Sequence, residues 1–253
     1  MMDQSAGHRP VESAAGEGEV RLATGRILFS ICAGIMALHI VSVVTRSVVE
    51  PGEGAFDDVL ALLNAAQERS LAGWWTAALL MTCSLAALTA FRLAGGPSTA
   101  ANSRRVAWPW LVLAVVFALL SLDEIVSLHE RGARWTAAVV DSSSPLARLG
   151  WTIPAGAILL ASLAILIPAF RALPARARTL VLIGLGTSIA AALGMELVNV
   201  ALSSAGAPYA SRLVAMAIEE AAEMTGVVIV LLGVLTAVQV RWTNHHLTLA
   251  YAD

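Results

Sequence analysis

Lysine is missing altogether: all sixteen basic residues of this 253-residue chain are arginine. Without a lysine amine there can be no retinal Schiff base, no pyridoxal phosphate linkage and no Ser-Lys catalytic dyad. Cysteine is nearly absent. Cys32 and Cys83 both fall inside apolar runs, with no CxxC spacing, and read as small core- or lipid-facing residues rather than a redox or zinc pair. Charged residues make up only 13% of the chain, against about 25% in soluble domains. The formal net charge is −2, and no nucleic-acid partner is expected. Several catalytic signatures are also missing. His129-Glu130 is followed by Arg131, Gly132, Ala133 and Arg134, which is not HExxH, and no GxSxG elbow, P-loop or GxGxxG occurs. His39 and His129 are the only histidines in or near apolar runs, too few for the histidine-rich diiron sites of membrane desaturases or the three-His zinc sites of membrane ceramidases.

What the chain has instead is apolar length. Apolar residues make up 58%, and six long runs stand at about Ile27–Thr45, Gly73–Phe91, Val106–Leu122, Leu149–Phe170, Thr179–Leu202 and Leu213–Val240. Each is near or above the ~20 residues that cross a ~30 Å hydrocarbon core. Open strands would leave backbone groups unpaired in lipid, so the runs are expected to be helices. The expected fold is an all-α polytopic bundle: six transmembrane helices over residues 26–241, a disordered tail over 1–25 and a second tail over 242–253. Between runs one and two, Phe56, Val59, Leu60, Leu63 and Ala66 recur at helical spacing, which predicts a short surface helix. Trp74, Trp75, Trp108 and Trp110 fit aromatic belts.

Arginine sets the orientation. With six spans, one side carries ten arginines and five acids, net +5; the other side and its half of the membrane carry six arginines and thirteen acids, net −7. Both termini are therefore expected in the cytoplasm, and the acids face outward, where they would attract cations. The localisation that follows is the bacterial cytoplasmic membrane, multi-pass, with the lipid bilayer as the main partner and a homo-oligomer compatible with such a bundle.

Some of the thirteen acids on the outer side share one layer within the spans. Asp123 and Glu124 each lie about 26 Å along the third run, Glu196 about 26 Å along the fifth, and Glu220 about 10 Å down the sixth. Ionised carboxylates at the centre of a spanning helix cost about 2.5–3.5 kcal/mol each, so several together imply shared protons, a bound cation or partner residues. Glu219, Glu220 and Glu223 are spaced i, i+1 and i+4 and share one helix face. The alternative for them is an acidic turn at the outer interface. Asp123, Ser127 and Glu130 would form a stripe on an unbroken helix, with Glu124 and His129 to either side of it. Glu196 and Asn199 are one turn apart, and could equally be hydrogen-bonding two helices together. Gly184, Gly186, Ala190 and Gly194 form a candidate packing seam beneath them. His39, on the first run, and Glu68, before Trp74, are weaker members of the set.

The string Ser121-Leu122-Asp123-Glu124 followed by His129-Glu130 resembles a family of uncharacterised bacterial six-span integral membrane proteins with an S-L-D-E…H-E motif. That pattern also resembles the acid-Trp junction Glu68, Trp74, Trp75 and the Glu219, Glu220, Glu223 start of the last run. The resemblance implies a shared site over most of the span region, in a family without an established activity.

Two functional classes follow from many carboxylates plus one or two imidazoles. An enzyme would hold a divalent metal, Mn or Fe favoured over Zn by the oxygen-rich set, and act on a lipidic or quinone-like substrate. Asp123, Glu124, His129, Glu130, Glu196, Glu219, Glu220 and Glu223 would be its metal ligands or bases, with His39, Asn199 and Glu68 as lesser candidates. A transporter or channel subunit would use the same acids for a proton or a transported cation. A non-catalytic assembly partner, pairing its acids with arginines of another subunit, is the third reading.

Overall fold

A computed structural model of the protein describes residues 11–49, 52, 54–67, 69–95, 103–128, 131, 152–243 and 246–252. Over these the chain is almost entirely helical: α1 (Val11–Val48), α2 (Ala55–Leu63), α3 (Leu71–Ala94), α4 (Ser103–Val126), α5 (Thr152–Ala172), α6 (Ala175–Ser204) and α7 (Tyr209–Leu235). A two-stranded antiparallel hairpin, β1 (Val238–Thr243) and β2 (His246–Tyr251), ends it. Local chemistry explains several boundaries. Ser70 caps α3, its Oγ accepting from the Gly73 N–H at 3.1 Å, and Gly95 stops it. Pro174 and Pro208 stand just before α6 and α7, with φ of −52° and −53°. Proline there starts a helix without leaving an N–H unpaired.

Four described segments are long and apolar enough to cross a membrane: Glu19–Val48, Leu71–Ala94, Arg105–Val126 and Ala175–Ser204. A fifth is α5, if its halves Ala155–Ser162 and Ala164–Ala172, bent by 51°, count as one span. Pro168 sits inside α5, and its ring displaces the carbonyl four residues back, at Ala164, next to the bend. The last apolar run is a 27-residue helix of spanning length but not of spanning composition. Every 18-residue stretch of α7 contains Glu219, Glu220 and Glu223.

The termini differ from the sequence expectation. Helix α1 begins at Val11, inside the stretch whose polar composition reads as a disordered tail over 1–25. The last helix stops at Leu235, and the tail expected over 242–253 carries most of the hairpin. Val238-Gln239-Val240-Arg241-Trp242-Thr243 alternates in polarity and is β-branched at three positions, which suits a strand and not a helix. Tyr251 fixes the hairpin to the bundle. The Trp110 Nε1–H donates to its hydroxyl at 3.0 Å, the rings meet edge-on at 6.5 Å, and the Ala252 N–H donates to the Ala237 carbonyl. Trp110 is therefore a fully buried core residue, not a member of an aromatic belt. Of the pair at the start of α3, Trp74 is exposed, whereas Trp75 donates its Nε1–H to Cys32 Sγ at 3.3 Å.

Packing makes two tight pairs, α6 with α7 and α3 with α4, joined through α3 and α7. Helix α5 touches α4 on one side and α6 on the other, closing a circuit of five helices, and α1 lies against α7 and α3. Trp110, Leu113 and Phe117 of α4, Cys83 and Ala87 of α3, and Met224, Val228 and Val234 of α7 fill the interior. Leu111, Val115 and Leu119 of α4 and Leu182, Ile183 and Ile189 of α6 face outward. Apolar residues all round a helix suit lipid on the outer face. At the end opposite the hairpin lies α2, the short helix expected from sequence. Only Leu60 is buried within it, while Phe56, Val59 and Leu62 remain exposed.

Candidate site at the acidic level of α4, α6 and α7

Four side-chain-to-backbone contacts fix the heights of the helices. Ser84 Oγ donates to the Ala114 carbonyl at 2.7 Å, and Ser121 Oγ to the Ala77 carbonyl at 2.9 Å. Both fit one antiparallel register between α3 and α4, so Glu124 stands about one turn beyond the Ser121–Ala77 contact. Cys83 Sγ lies 3.9 Å from the Val227 carbonyl, which sets α3 against α7 in parallel. Seven residues earlier on each helix, on the same faces, Thr76 comes level with Glu220. Ser188 Oγ donates to the Glu223 carbonyl at 3.3 Å, setting α6 against α7.

Carboxylates of three helices lie within electrostatic reach of one another near that height. Glu124 of α4 acts electrostatically on both Glu220 and Glu223 of α7, and Glu219 acts on the same two. Glu196 of α6 acts on Glu219. All five are partly buried. Asn199 donates its Nδ2–H to Glu219 Oε2 at 3.3 Å, so this amide does tie α6 to α7, while its buried Oδ1 has no hydrogen-bond partner. Arg212, seven residues above Glu219, has its guanidinium 5.4 Å over the Tyr209 ring, toward the end of α7.

The close approach of α6 and α7 explains how the acids of the two helices come together. A Cβ on Gly184 would stand 2.5 Å from the Gly226 carbonyl oxygen, and one on Gly226 2.6 Å from the Gly184 oxygen. The seam runs through Ala177, Val181, Gly184, Ser188 and Ala191, spaced 4, 3, 4 and 3. It differs from the one expected by composition. Gly186 and Gly194 have nothing within 4 Å of a built Cβ, and Ala190 is exposed. Residues two, six or ten positions from Gly184 point elsewhere on a 3.6-residue helix.

Helix α4 ends at the same height. Ser127 has φ of 52°, the left-handed region, which costs a non-glycine residue about 1–2 kcal/mol. Its N–H still closes the last turn on the Asp123 carbonyl at 2.7 Å. The stripe expected from Asp123 through Ser127 to Glu130 presupposes an unbroken helix, and α4 breaks at Ser127. Asp123 is partly buried at the end of α4. His129, Glu130 and Glu68 lie outside the described residues.

His39 is engaged by the segment after α2. It is 2% exposed, and its Nδ1 accepts the Ala65 N–H at 3.0 Å while its ring also hydrogen-bonds the Asn64 side chain. It ties α1 to the segment after α2. Among the described residues, no three of the His, Cys, Asp and Glu side chains stand close enough to hold a metal ion. Cys32 and Cys83 are free, buried thiols.

Thr76 is the residue at this height that the sequence does not announce. It is 3% exposed, and its Oγ1 has no hydrogen-bond partner. A threonine in an apolar helix ordinarily returns its hydroxyl to a carbonyl of its own helix, as Thr82 does to Ala78 at 2.8 Å. Only the register against α7 distinguishes Thr76.

No curated protein and no solved structure matches the chain. The family described as "Domain of unknown function (DUF8692)" matches residues 27–238, from the start of the apolar part of α1 to the start of the hairpin, and the chain belongs to that family.

Proposed function

We propose that the protein is a multi-pass integral membrane protein that binds and releases a cation or proton at one carboxylate cluster, in a coupled transport cycle. Glu124, Glu196, Glu219, Glu220 and Glu223 form the cluster, with Asp123 beside it. In this reading the chain crosses the bacterial cytoplasmic membrane six times, with α5 and α7 as spans, both termini cytoplasmic and the cluster in the outer half. The feature that carries it is the placement of the buried Glu220 and Glu223 of α7 within electrostatic reach of Glu124 of α4. Like charges facing one another in a low-dielectric bundle persist only if they share protons or hold a cation. Transport is favoured over metal-dependent catalysis because His39 is engaged by Ala65 and Asn64 and the described acids and imidazole do not converge as a metal-ligand set.

The test is ion-driven flux in liposomes, read with an interior pH dye, for wild type beside Glu220→Gln and Glu223→Gln. At least a tenfold loss of flux is expected in each, equivalent to about 1.4 kcal/mol or more of lost ion-binding free energy. Stoichiometric Mn or Fe in the purified protein, lost in Glu220→Gln and without flux in wild type, would replace transport with metal-dependent chemistry. Orientation is checked by single-cysteine labelling, since both native thiols are buried.

A further inference from the structure

The ion's chemical class can be read from the oxygen atoms at the level of Glu220. We infer that the cluster takes an alkali cation of sodium size, held between the Glu220 carboxylate and Thr76 Oγ1; this rests on the proposed cation-coupled function and names its cargo. Thr76 and Cys83 are seven residues apart and share a face of α3, and Cys83 Sγ meets the Val227 carbonyl of α7. Seven residues before Val227 is Glu220, so Thr76 lies on the α7 side of α3 at the height of that carboxylate. Its Oγ1 is buried to 3% exposure and unpartnered. A buried hydroxyl without a partner is costly and calls for a ligand.

The atoms present select among ions. Carboxylate and hydroxyl oxygens are hard ligands, which disfavours zinc and copper. Calcium takes six to eight oxygens, usually with several carboxylates converging, and no such group of three stands among the described residues. One carboxylate charge and one neutral oxygen suit a monovalent cation. Loading is an exchange: the protonated Glu220 releases H⁺ as Na⁺ takes its place, and the site's charge is unchanged.

The experiment uses the full chain in detergent, titrated with sodium chloride or choline chloride at constant ionic strength. Two quantities are read, proton release to a pH dye in weak buffer and thermal stability. Wild type is expected to release on the order of one proton per chain with sodium and none with choline. Its melting temperature should rise with sodium as for any ligand that binds only the folded state. Thr76→Val is expected to weaken sodium binding about tenfold, equivalent to about 1.4 kcal/mol. The same variant should be at least as stable as wild type in choline, because it deletes an unpartnered hydroxyl. Thr76→Ser should restore sodium affinity. Ser42, which is also fully buried with an unpartnered Oγ, supplies the control. The contact of Gly25 with Leu232 sets α1 against α7, and it places Ser42 level with Ala215, about 7.5 Å from the height of Glu220. Ser42→Ala should leave sodium affinity unchanged. A Thr76→Val protein that titrates sodium like wild type, an equal response to choline, or tighter binding of manganese than of sodium overturns the sodium site. If Glu220→Gln stops proton release while sodium never competes, the cluster is a proton site and only this inference fails. If Glu220→Gln changes neither readout, the coupled function fails with it.

Discussion

Adding a methyl group at Gly226 tests whether α6 and α7 hold the acids at one height through backbone contact. A Cβ there would strike the Ser188 Oγ and would meet the Gly184 carbonyl oxygen at 2.6 Å and the Ser188 N at 2.9 Å. Ordinary carbon–oxygen approaches are about 3.3 Å or longer, so the overlap with the carbonyl is about 0.7 Å; the Ser188 hydroxyl can rotate away, but the other two atoms are backbone and cannot. Overpacking of this kind costs about 1–3 kcal/mol. Alanine also gains about 0.8–1 kcal/mol of helix propensity over glycine, which must be separated out. Gly186→Ala and Gly194→Ala lie on the same pair of packed helices with open space around the new methyl, so they gain the propensity without the overlap. The expected result is that Gly226→Ala is less stable than either control by about 1–3 kcal/mol. Denaturation in detergent micelles, followed by helical circular dichroism, gives the numbers. Gly184→Ala should behave like Gly226→Ala, because its methyl would strike the Gly226 oxygen at 2.5 Å. The double variant should lose less than the two singles together, since helices already pushed apart by one methyl accommodate the other. Equal losses at Gly186 and Gly226, or strict additivity of Gly184 and Gly226, would refute the backbone seam.

Three further outcomes are expected. Ser127→Gly should raise stability by about 1 kcal/mol and Ser127→Val lower it, because φ of 52° penalises a side chain; a common denaturation assay checks both, and a stabilising valine would contradict the break in α4. Tyr251→Phe removes the acceptor of the buried Trp110 N–H at a cost of about 1–3 kcal/mol, and limited proteolysis should cut the hairpin faster; unchanged cleavage would argue against its docking on α4. Ser84→Ala with Ser121→Ala deletes both hydroxyl ties from α3 and α4 to each other's carbonyls, and should cost about 1 kcal/mol, since such bonds in membranes average about 0.6 kcal/mol. A loss above about 3 kcal/mol, the scale of a cavity in a packed core, would show that these serines do more than set the register.

Helices were legible in the sequence wherever solvent alone decides structure. Apolar runs place α3, α4, α5, α6 and α7 because lipid and core accept the same residues, and the acids stand out because lipid rejects them. The rest depends on which residue faces which neighbour. Ser127 carries no mark of its left-handed backbone, as glycine would. Gly186 and Gly194 have the composition of a seam, yet only Gly184 has the rotation for one. Trp110 reads as an interfacial residue until Tyr251 folds back from the hairpin and covers it. The hairpin itself follows an apolar helix directly, so the run reads through to Val240 although β-branched alternation begins at Val238. Thr76 is the sharpest case, since nothing local separates it from Thr82 or Thr89, whose hydroxyls return to their own helix.

Glu124, Glu220 and Glu223 come together through groups that carry no charge. Hydrophobic burial does little to choose one helix rotation over another when lipid is as apolar as the core. Directional contacts can choose. Ser84 and Ser121 set α4 on α3, Cys83 sets α3 on α7, Ser188 sets α7 on α6, and Gly184 with Gly226 lets the last pair close. Following those contacts round the bundle brings Glu124, from the end of one helix, beside Glu220 and Glu223, from the middle of another, with Thr76 between them in height. The repulsion so created opposes folding, and the contacts that impose it could have been satisfied by alanine or leucine at all three positions. On the proposed reading, an ion exchanged at this level accounts for both the acids and the neutral contacts that hold their helices in register.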